Sequence, residues 1–102
     1  MAHAVKDSET RRYRRAKVTF SGRHLDRTKN HVLVMNLNMG GAFIKFSEEP
    51  PQASTFVVRI NLHDGPVTLH AETVYRDHAG HGVRFADLDF ETATRLASAA
   101  AM

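Results

Sequence analysis

The sequence contains no cysteine, and this absence excludes disulfide bonds, zinc fingers and thiol catalysis together. It also lacks any apolar run that approaches the ~20 residues a membrane-spanning helix needs. Residues 1–10, MAHAVKDSET, carry charges and have no apolar centre, so they are unlike a secretory signal. A chain of 102 residues is long enough for one domain and too short for two. We therefore expect a single soluble domain in the cytoplasm, with no membrane insertion.

Motifs for catalysis and for metal binding are missing as well. The sequence has no Ser-His-Asp order, no His-Glu-x-x-His and no phosphate-cradling glycine loop. His78 and His81 are three apart, but a glycine turn lies between them and no carboxylate cluster completes a site. We expect the seven histidines to be exposed and solvated, the chain to hold no metal, and the protein not to be an enzyme.

Positive charge is abundant, but only near the start of the chain. Residues 1–30 contain nine Lys and Arg against three acidic residues, a balance of +6. Residues 31–102 contain five basic and eight acidic residues, a balance of −3. Positive charge confined to one segment suits a local anionic ligand, because a generic polyanion binder is more often basic throughout.

Short apolar runs separated by turn residues predict an all-β chain. The predicted strands lie in AKVTFSG (16–22), HVLVMNL (31–37), AFIKF (42–46), TFVVRINL (55–62), VTLHAETVYR (67–76) and GVRFA (82–86). HVLVMNL is rich in β-formers and predicts a strand buried on both sides. TFVVRINL alternates and predicts one buried face, formed by Phe56, Val58, Ile60 and Leu62. RHLDRTKN, residues 23–30, is expected to be a polar connection, and residues 1–10 a flexible tail.

The hydrophobic period changes near the end of the chain. In residues 88–102, apolar side chains recur at helical spacing: Phe90, Ala93, Leu96, Ala97 and Ala100. Asp89 is the expected N-cap, and Glu91 lies in the first turn, where the helix dipole favours acids. About six strands and one helix predict a small barrel or sandwich. A closed barrel leaves no exposed strand edge, and the helix is expected to cover an open end or side of it.

The arginine cluster RRYRR, residues 11–15, is the first motif that could carry function. Arg11 and Arg15 are four apart, and Arg12 lies between them. Guanidinium groups make bidentate contacts with phosphates and stack on planar bases. The cluster is either a solvated basic arm or one half of a pocket for a phosphate-bearing ligand.

The second motif is NLNMGGAF, residues 36–43, at the predicted end of a strand. Asn36 and Asn38 are two apart and would share one face of a strand. Gly41 allows a backbone or a ligand to approach closely. Asn and Gly also make ordinary turns, so this segment is either a turn or a polar patch that contacts a ligand.

Together the two motifs resemble those of PilZ domains. That family has Arg-Arg-x-x-Arg just before a strand, and Asp/Asn-x-Ser-x-x-Gly further along the chain. Residues 11–15 match the first motif in full, and residues 36–41 match the second at its first and last positions. VYRDHAGHGVRF, residues 74–85, is similar to the closing hairpin of the family. The likeness covers residues 11–100.

The resemblance implies a PilZ-like split barrel, which is a six-stranded antiparallel β-barrel with a short C-terminal α-helix, as a single domain over residues 11–100. It implies a stand-alone receptor for the bacterial second messenger cyclic di-GMP, which is a ligand rather than a cofactor. The family's site residues correspond to Arg11, Arg12 and Arg15, which would clamp the ligand, and to Asn36, Asn38 and Gly41, which would line its bed. A protein partner in motility, pilus or surface-polysaccharide machinery would then receive the signal by contact.

Asn38 departs from the family pattern, which has Ser at this position. Asn is larger and still offers a donor and an acceptor. It either replaces Ser in the site or fills the space that the guanine needs. In the second case the chain is a PilZ-like adaptor that acts through protein contacts without the nucleotide. A third interpretation, a barrel that binds DNA or RNA through its basic arm, conflicts with the acidic balance of residues 31–102, so no nucleic-acid partner is expected.

Overall fold

A computed structural model describes residues 18–26 and 30–101. In this part of the chain six antiparallel strands form a closed barrel in the order β1-β2-β3-β6-β5-β4. The strands are β1 (Phe20–His24), β2 (His31–Met35), β3 (Gly41–Phe46), β4 (Thr55–Leu62), β5 (Gly65–Asp77) and β6 (Gly80–Ala86), and the helix α1 (Phe90–Ala100) follows them. The predicted fold class, a six-stranded antiparallel barrel with a short C-terminal helix, is confirmed.

The barrel interior is filled by alternate side chains of each strand. On β4 the predicted inward face is confirmed, because Phe56, Val58, Ile60 and Leu62 are all buried. Each fully buried side chain of this size contributes about 1.5–3 kcal/mol through removal of apolar surface from water. Since the strands alternate, the intervening side chains point away from the core and form the outer face of the barrel.

Two strand predictions were wrong in detail. β1 continues to His24, inside the segment predicted to be a polar connection, because this histidine is buried with ring centroids 5.9 Å from Phe46 and 5.5 Å from Phe56. β2 is not buried on both sides: Leu33 is 49 % exposed, while Val32 and Val34 are buried. A single-layer barrel has one solvated face, so even an apolar strand alternates.

The second half of the helix packs against the barrel. Leu96 and Ala99 belong to the buried core, and Arg95 donates to Asp64 and to the carbonyl of Gly65 at the β4–β5 turn. The predicted N-cap is confirmed, because Asp89 accepts the backbone N–H of Thr92 at 2.7 Å.

The prediction that Phe90 belongs to the apolar face of the helix was wrong. Its side chain is 87 % exposed, because the first turn of α1 precedes the part that contacts the barrel. Ala97 is exposed as well, so the buried face runs through Leu96 and Ala99.

The expectation that every histidine is exposed was wrong for His24 and His81, which are both 3 % exposed. Buried Asn30 lies beside His24, with its Nδ2 atom 3.2 Å from the ring Nδ1. Asn30 also donates to the carbonyl of Glu49 and accepts the N–H of Glu48, so it fixes the connection after β3. His31, His63, His70 and His78 are exposed as expected.

Residues 18–26 and 30–101 contain neither a membrane-spanning helix nor a cluster of metal ligands. No helix among them is long and apolar enough to span a membrane. Nor do residues 18–26 and 30–101 bring three potential ligands together in a group that could hold a metal ion.

Candidate functional site

Three of the six predicted site residues meet at one end of the barrel. Asn36, Asn38 and Gly41 lie in the Asn36–Gly41 loop, which connects β2 to β3 and includes the first residue of β3. Arg11, Arg12 and Arg15 lie outside the described residues. The structure therefore places the second motif.

The loop begins with a change of backbone direction at Asn36. This residue has φ 53°, in the left-handed region that Asn tolerates better than most residues. The next side chain, Leu37, is 1 % exposed and anchors the loop in the core. Asn36 and Asn38 remain exposed on either side of this anchor. They follow the end of β2, so the expectation that they share a strand face was wrong.

The Asn38 side chain holds the loop together. Its Oδ1 accepts the backbone N–H of Gly40 at 2.7 Å and that of Gly41 at 3.0 Å. The backbone N–H of Asn38 donates to the Gly41 carbonyl at 3.0 Å. Backbone N–H groups only donate, so the oxygen must point into the loop and the amide Nδ2 must point away. Within the described part of the chain this NH₂ group makes no hydrogen bond.

Gly41 is needed for strand packing. A Cβ atom at this position would lie 2.2 Å from the carbonyl oxygen of Val83 on β6. Gly40 is tied to β6 too, because its carbonyl accepts the N–H of Phe85 at 3.0 Å. The close approach predicted for Gly41 is thus an approach of backbone to backbone, and it fixes the loop on β6.

Beside the loop, the outer face of β3, β6 and β5 carries an ion pair. Gly41 is opposite Arg84 in the strand register, and Arg84 is opposite Glu72. The Arg84 Nε donates to Glu72 Oε1 at 3.0 Å. The Arg84 charge is therefore balanced locally, and the loop itself has no charged side chain.

The next row of the same face is aromatic. Tyr75 lies across Gly82, where a Cβ atom would come within 2.1 Å of its ring. The ring is 6.2 Å from that of Phe43, with 30° between the planes. A register shift between Thr73 and Tyr75 brings the tyrosine to this position, and 54 % of Tyr75 remains exposed. The result is an open aromatic surface two residues along β3 from Gly41.

Sequence reasoning missed Tyr75. A tyrosine in a predicted strand points inward or outward according to register, and the bulge that sets this register has no clear sequence signal. Gly82 was the available indication, since a glycine inside a strand marks a bulge or a close approach. Met39, in the Asn36–Gly41 loop, is 54 % exposed.

Comparison with known proteins gives one match. The family profile described as PilZ domain matches residues 9–101. No curated protein gives a significant match. The same is true of the solved structures.

Proposed function

The chain belongs to the PilZ domain family, a family of cyclic di-GMP receptors, and from this premise we propose that it binds cyclic di-GMP through the Asn36–Gly41 loop and residues Arg11, Arg12 and Arg15. PilZ domains are receptor domains and in general not enzymes, which agrees with the absence of catalytic motifs in the sequence. The observation that carries the proposal is the hydrogen bonding of the Asn38 side-chain amide. This residue completes the loop with its oxygen and keeps an NH₂ group for a ligand.

The chemistry of that NH₂ group suits a guanine. The Hoogsteen edge of guanine presents two acceptors, N7 and O6, to a donor. Asn38 therefore closes the loop with its oxygen and would offer a donor to the base. Asn36 adds an exposed amide two residues away, which makes no hydrogen bond to other described residues.

The arginines are close enough along the chain to reach the same ligand. Four residues separate Arg15 from Phe20, and the five Cα–Cα steps between them span at most about 18 Å when extended. Phe20 pairs with Val34, two residues before Asn36. The ligand carries two phosphates, and the loop has no charge of its own, so the compensating positive charge would come from residues 11–15.

Tyr75 provides a further contact surface for a base. Its exposed ring lies beside the loop and is held by Gly82 and Phe43. Stacking of a base on an aromatic side chain contributes about 1–3 kcal/mol. Tyr75 is the aromatic residue we assign to this role.

A second candidate function is that of an adaptor that does not bind the nucleotide. The replacement of Ser by Asn38 favours it, and so do the exposed apolar side chains of Met39 in the loop and Val74 on β5. In either case the output would pass by contact to a protein partner, which we propose belongs to motility, pilus or polysaccharide machinery in the cytoplasm.

Calorimetric titration with cyclic di-GMP, with GTP as the control nucleotide, tests the proposal. We expect saturable binding of low-micromolar or tighter affinity and no saturable heat with GTP. The absence of heat, together with an unchanged melting temperature in the presence of the messenger, would overturn the receptor assignment and favour the adaptor.

A further inference from the structure

The outer face of the barrel away from the Asn36–Gly41 loop is basic. Strands β1 to β4 contain no Asp or Glu, but they contain Arg23, Lys45 and Arg59, all exposed. The acidic residues of 31–102 lie instead in turns, in β5 and in the helix.

Two arginines on this face lie directly opposite each other. Arg23 on β1 is paired in register with Arg59 on β4. Of the five arginines described, Arg84 and Arg95 bind carboxylates and Arg76 donates to backbone carbonyls. Arg23 and Arg59 have no hydrogen-bond or ion-pair partner among the described residues. Like charges in opposed positions destabilise a sheet, so this pair is unfavourable for the fold alone.

An apolar cleft opens next to this arginine pair. It has a volume of about 360 Å³ and is lined by residues that include Leu33, His31 and Lys45. Leu33 is paired with Ser21, two residues before Arg23 on β1, and His31 is paired with Arg23 itself. A row of positive charge thus borders an exposed apolar side chain on the same face.

We propose that this face, centred on Arg23, Arg59 and Leu33, docks an acidic protein segment that carries apolar side chains. Carboxylates would bind the two guanidinium groups, and an apolar side chain would enter the cleft over Leu33. The inference goes beyond messenger binding, because Arg23 and His31 lie at the end of β1 and β2 opposite to the Asn36–Gly41 loop.

Charge and shape distinguish between three possible ligands of this face: residues 1–17 of the chain, single-stranded nucleic acid and an acidic peptide. Residues 1–17 carry six basic and two acidic side chains, so they would be repelled from this face. Single-stranded nucleic acid normally needs aromatic side chains on which its bases stack. The outward positions of β1 and β4 hold Ser, Thr, Val, Asn and Arg, and no Phe or Tyr. Phe46 lines the cleft, but its ring packs against Phe56 and His81. An acidic and partly apolar peptide satisfies both the charge and the cleft.

A capped, fluorescently labelled peptide of repeating Glu-Leu-Glu provides the probe. Fluorescence anisotropy would measure its binding, and the matched peptide with Gln in place of Glu would serve as a control. We expect the acidic peptide to bind and the Gln peptide not to bind. Arg23→Gln and Arg59→Gln should each weaken binding about tenfold or more, and Leu33→Ser should weaken it too.

Arg76→Gln is the matched control variant, because it removes the same charge from an exposed arginine elsewhere. This control should bind the acidic peptide like the wild type. Arg23→Gln and Arg59→Gln should keep or raise the melting temperature, since each removes a like-charge contact.

An equal loss of binding in Arg76→Gln would overturn the proposal, as would no binding of the acidic peptide. Tighter binding of single-stranded poly-dT, lost in the same variants, would assign the face to nucleic acid instead. A dimer in sedimentation that Arg59→Gln dissociates would assign it to a second copy. The titration contains no cyclic di-GMP, so its outcome is independent of the receptor assignment.

Discussion

The side-chain oxygen of Asn38 accepts the backbone N–H of Gly41 at 3.0 Å, and this bond closes the Asn36–Gly41 loop onto the first residue of β3. The same oxygen accepts the N–H of Gly40. The oxygen is used within the loop and the NH₂ group is not. Substitutions can therefore separate loop stability from the ligand contact that we propose for the NH₂ group.

Asn38→Asp should keep the loop and lose the ligand. A carboxylate accepts both glycine N–H groups, but it has no donor for the guanine and it repels the phosphates. We expect the free energy of unfolding to stay within about 0.5 kcal/mol of the wild type, and the affinity for cyclic di-GMP to fall at least about tenfold. Asn38→Ala should lower both quantities, and Asn38→Ser should retain binding. Urea unfolding and calorimetry would measure them, and full affinity in Asn38→Asp would contradict the role of the NH₂ group.

Arg15→Ala should abolish binding of cyclic di-GMP without a change in stability. Arg11→Ala should do the same, because both arginines belong to the motif and precede the first strand. Arg14→Ala is the matched control: it removes one charge from the same cluster and has no motif role. Calorimetry would give the affinities and circular dichroism the melting temperatures. Equal losses in Arg14→Ala and Arg15→Ala would show that the segment acts only by its net charge.

Gly41→Ala should destabilise the barrel more than Gly40→Ala. The new Cβ of the first variant would lie 2.2 Å from the Val83 carbonyl oxygen. Both the β3 backbone that carries it and the β6 backbone that it meets resist movement. Overpacking of this kind costs about 1–3 kcal/mol. At Gly40 the nearest contact is the Asn38 oxygen at 3.3 Å, so the cost should be about 0.5 kcal/mol or less. Urea midpoints would test this order, and equal midpoints would refute the strand-packing role of Gly41.

The stability of the barrel should fall as the pH drops below about 6.5. Burial lowers the pKa of His81, and the nearby charge of Arg76 lowers it further. Just below this pH, His81 is protonated in the unfolded chain but stays neutral in the folded chain. Protonation therefore stabilises the unfolded chain, and unfolding becomes more favourable. His81→Gln should reduce the slope of stability against pH, whereas His78→Gln, at an exposed position, should leave it unchanged. Urea midpoints between about pH 5 and about pH 8 would measure both slopes, and an unchanged slope in His81→Gln would exclude this histidine as the cause.

Most of the fold was predictable because the sequence patterns that specify its strands and helix are local. Alternation identified the buried face of β4, and the change of period together with Asp89 identified the start of α1. Leu33 and Phe90 were assigned wrongly for a shared reason: hydrophobicity alone does not say which side of an element meets the barrel. His24 and Asn30 were misjudged because their burial depends on partners from distant segments, namely Phe56 and the connection after β3.

The candidate site was predictable only in part. The pattern of residues 36–41 identified Asn38 and Gly41, but the roles of these residues depend on geometry. The amide orientation of Asn38 follows from the glycine N–H groups, and the requirement for Gly41 follows from Val83 on another strand. Neither Tyr75 nor the pairing of Arg23 with Arg59 could be predicted, because both depend on strand register.

The closed order of the six strands limits how any protein can recognise this domain. A β-sheet with a free edge can accept an extra strand from a partner and bind it through the backbone, with little demand on sequence. In residues 18–26 and 30–101 each strand already has a neighbour on both sides, so that general mode of association and the aggregation that accompanies it are blocked. Recognition of this part of the chain must therefore depend on side chains of the outer face or of the loops. A single outward substitution can change which partner binds.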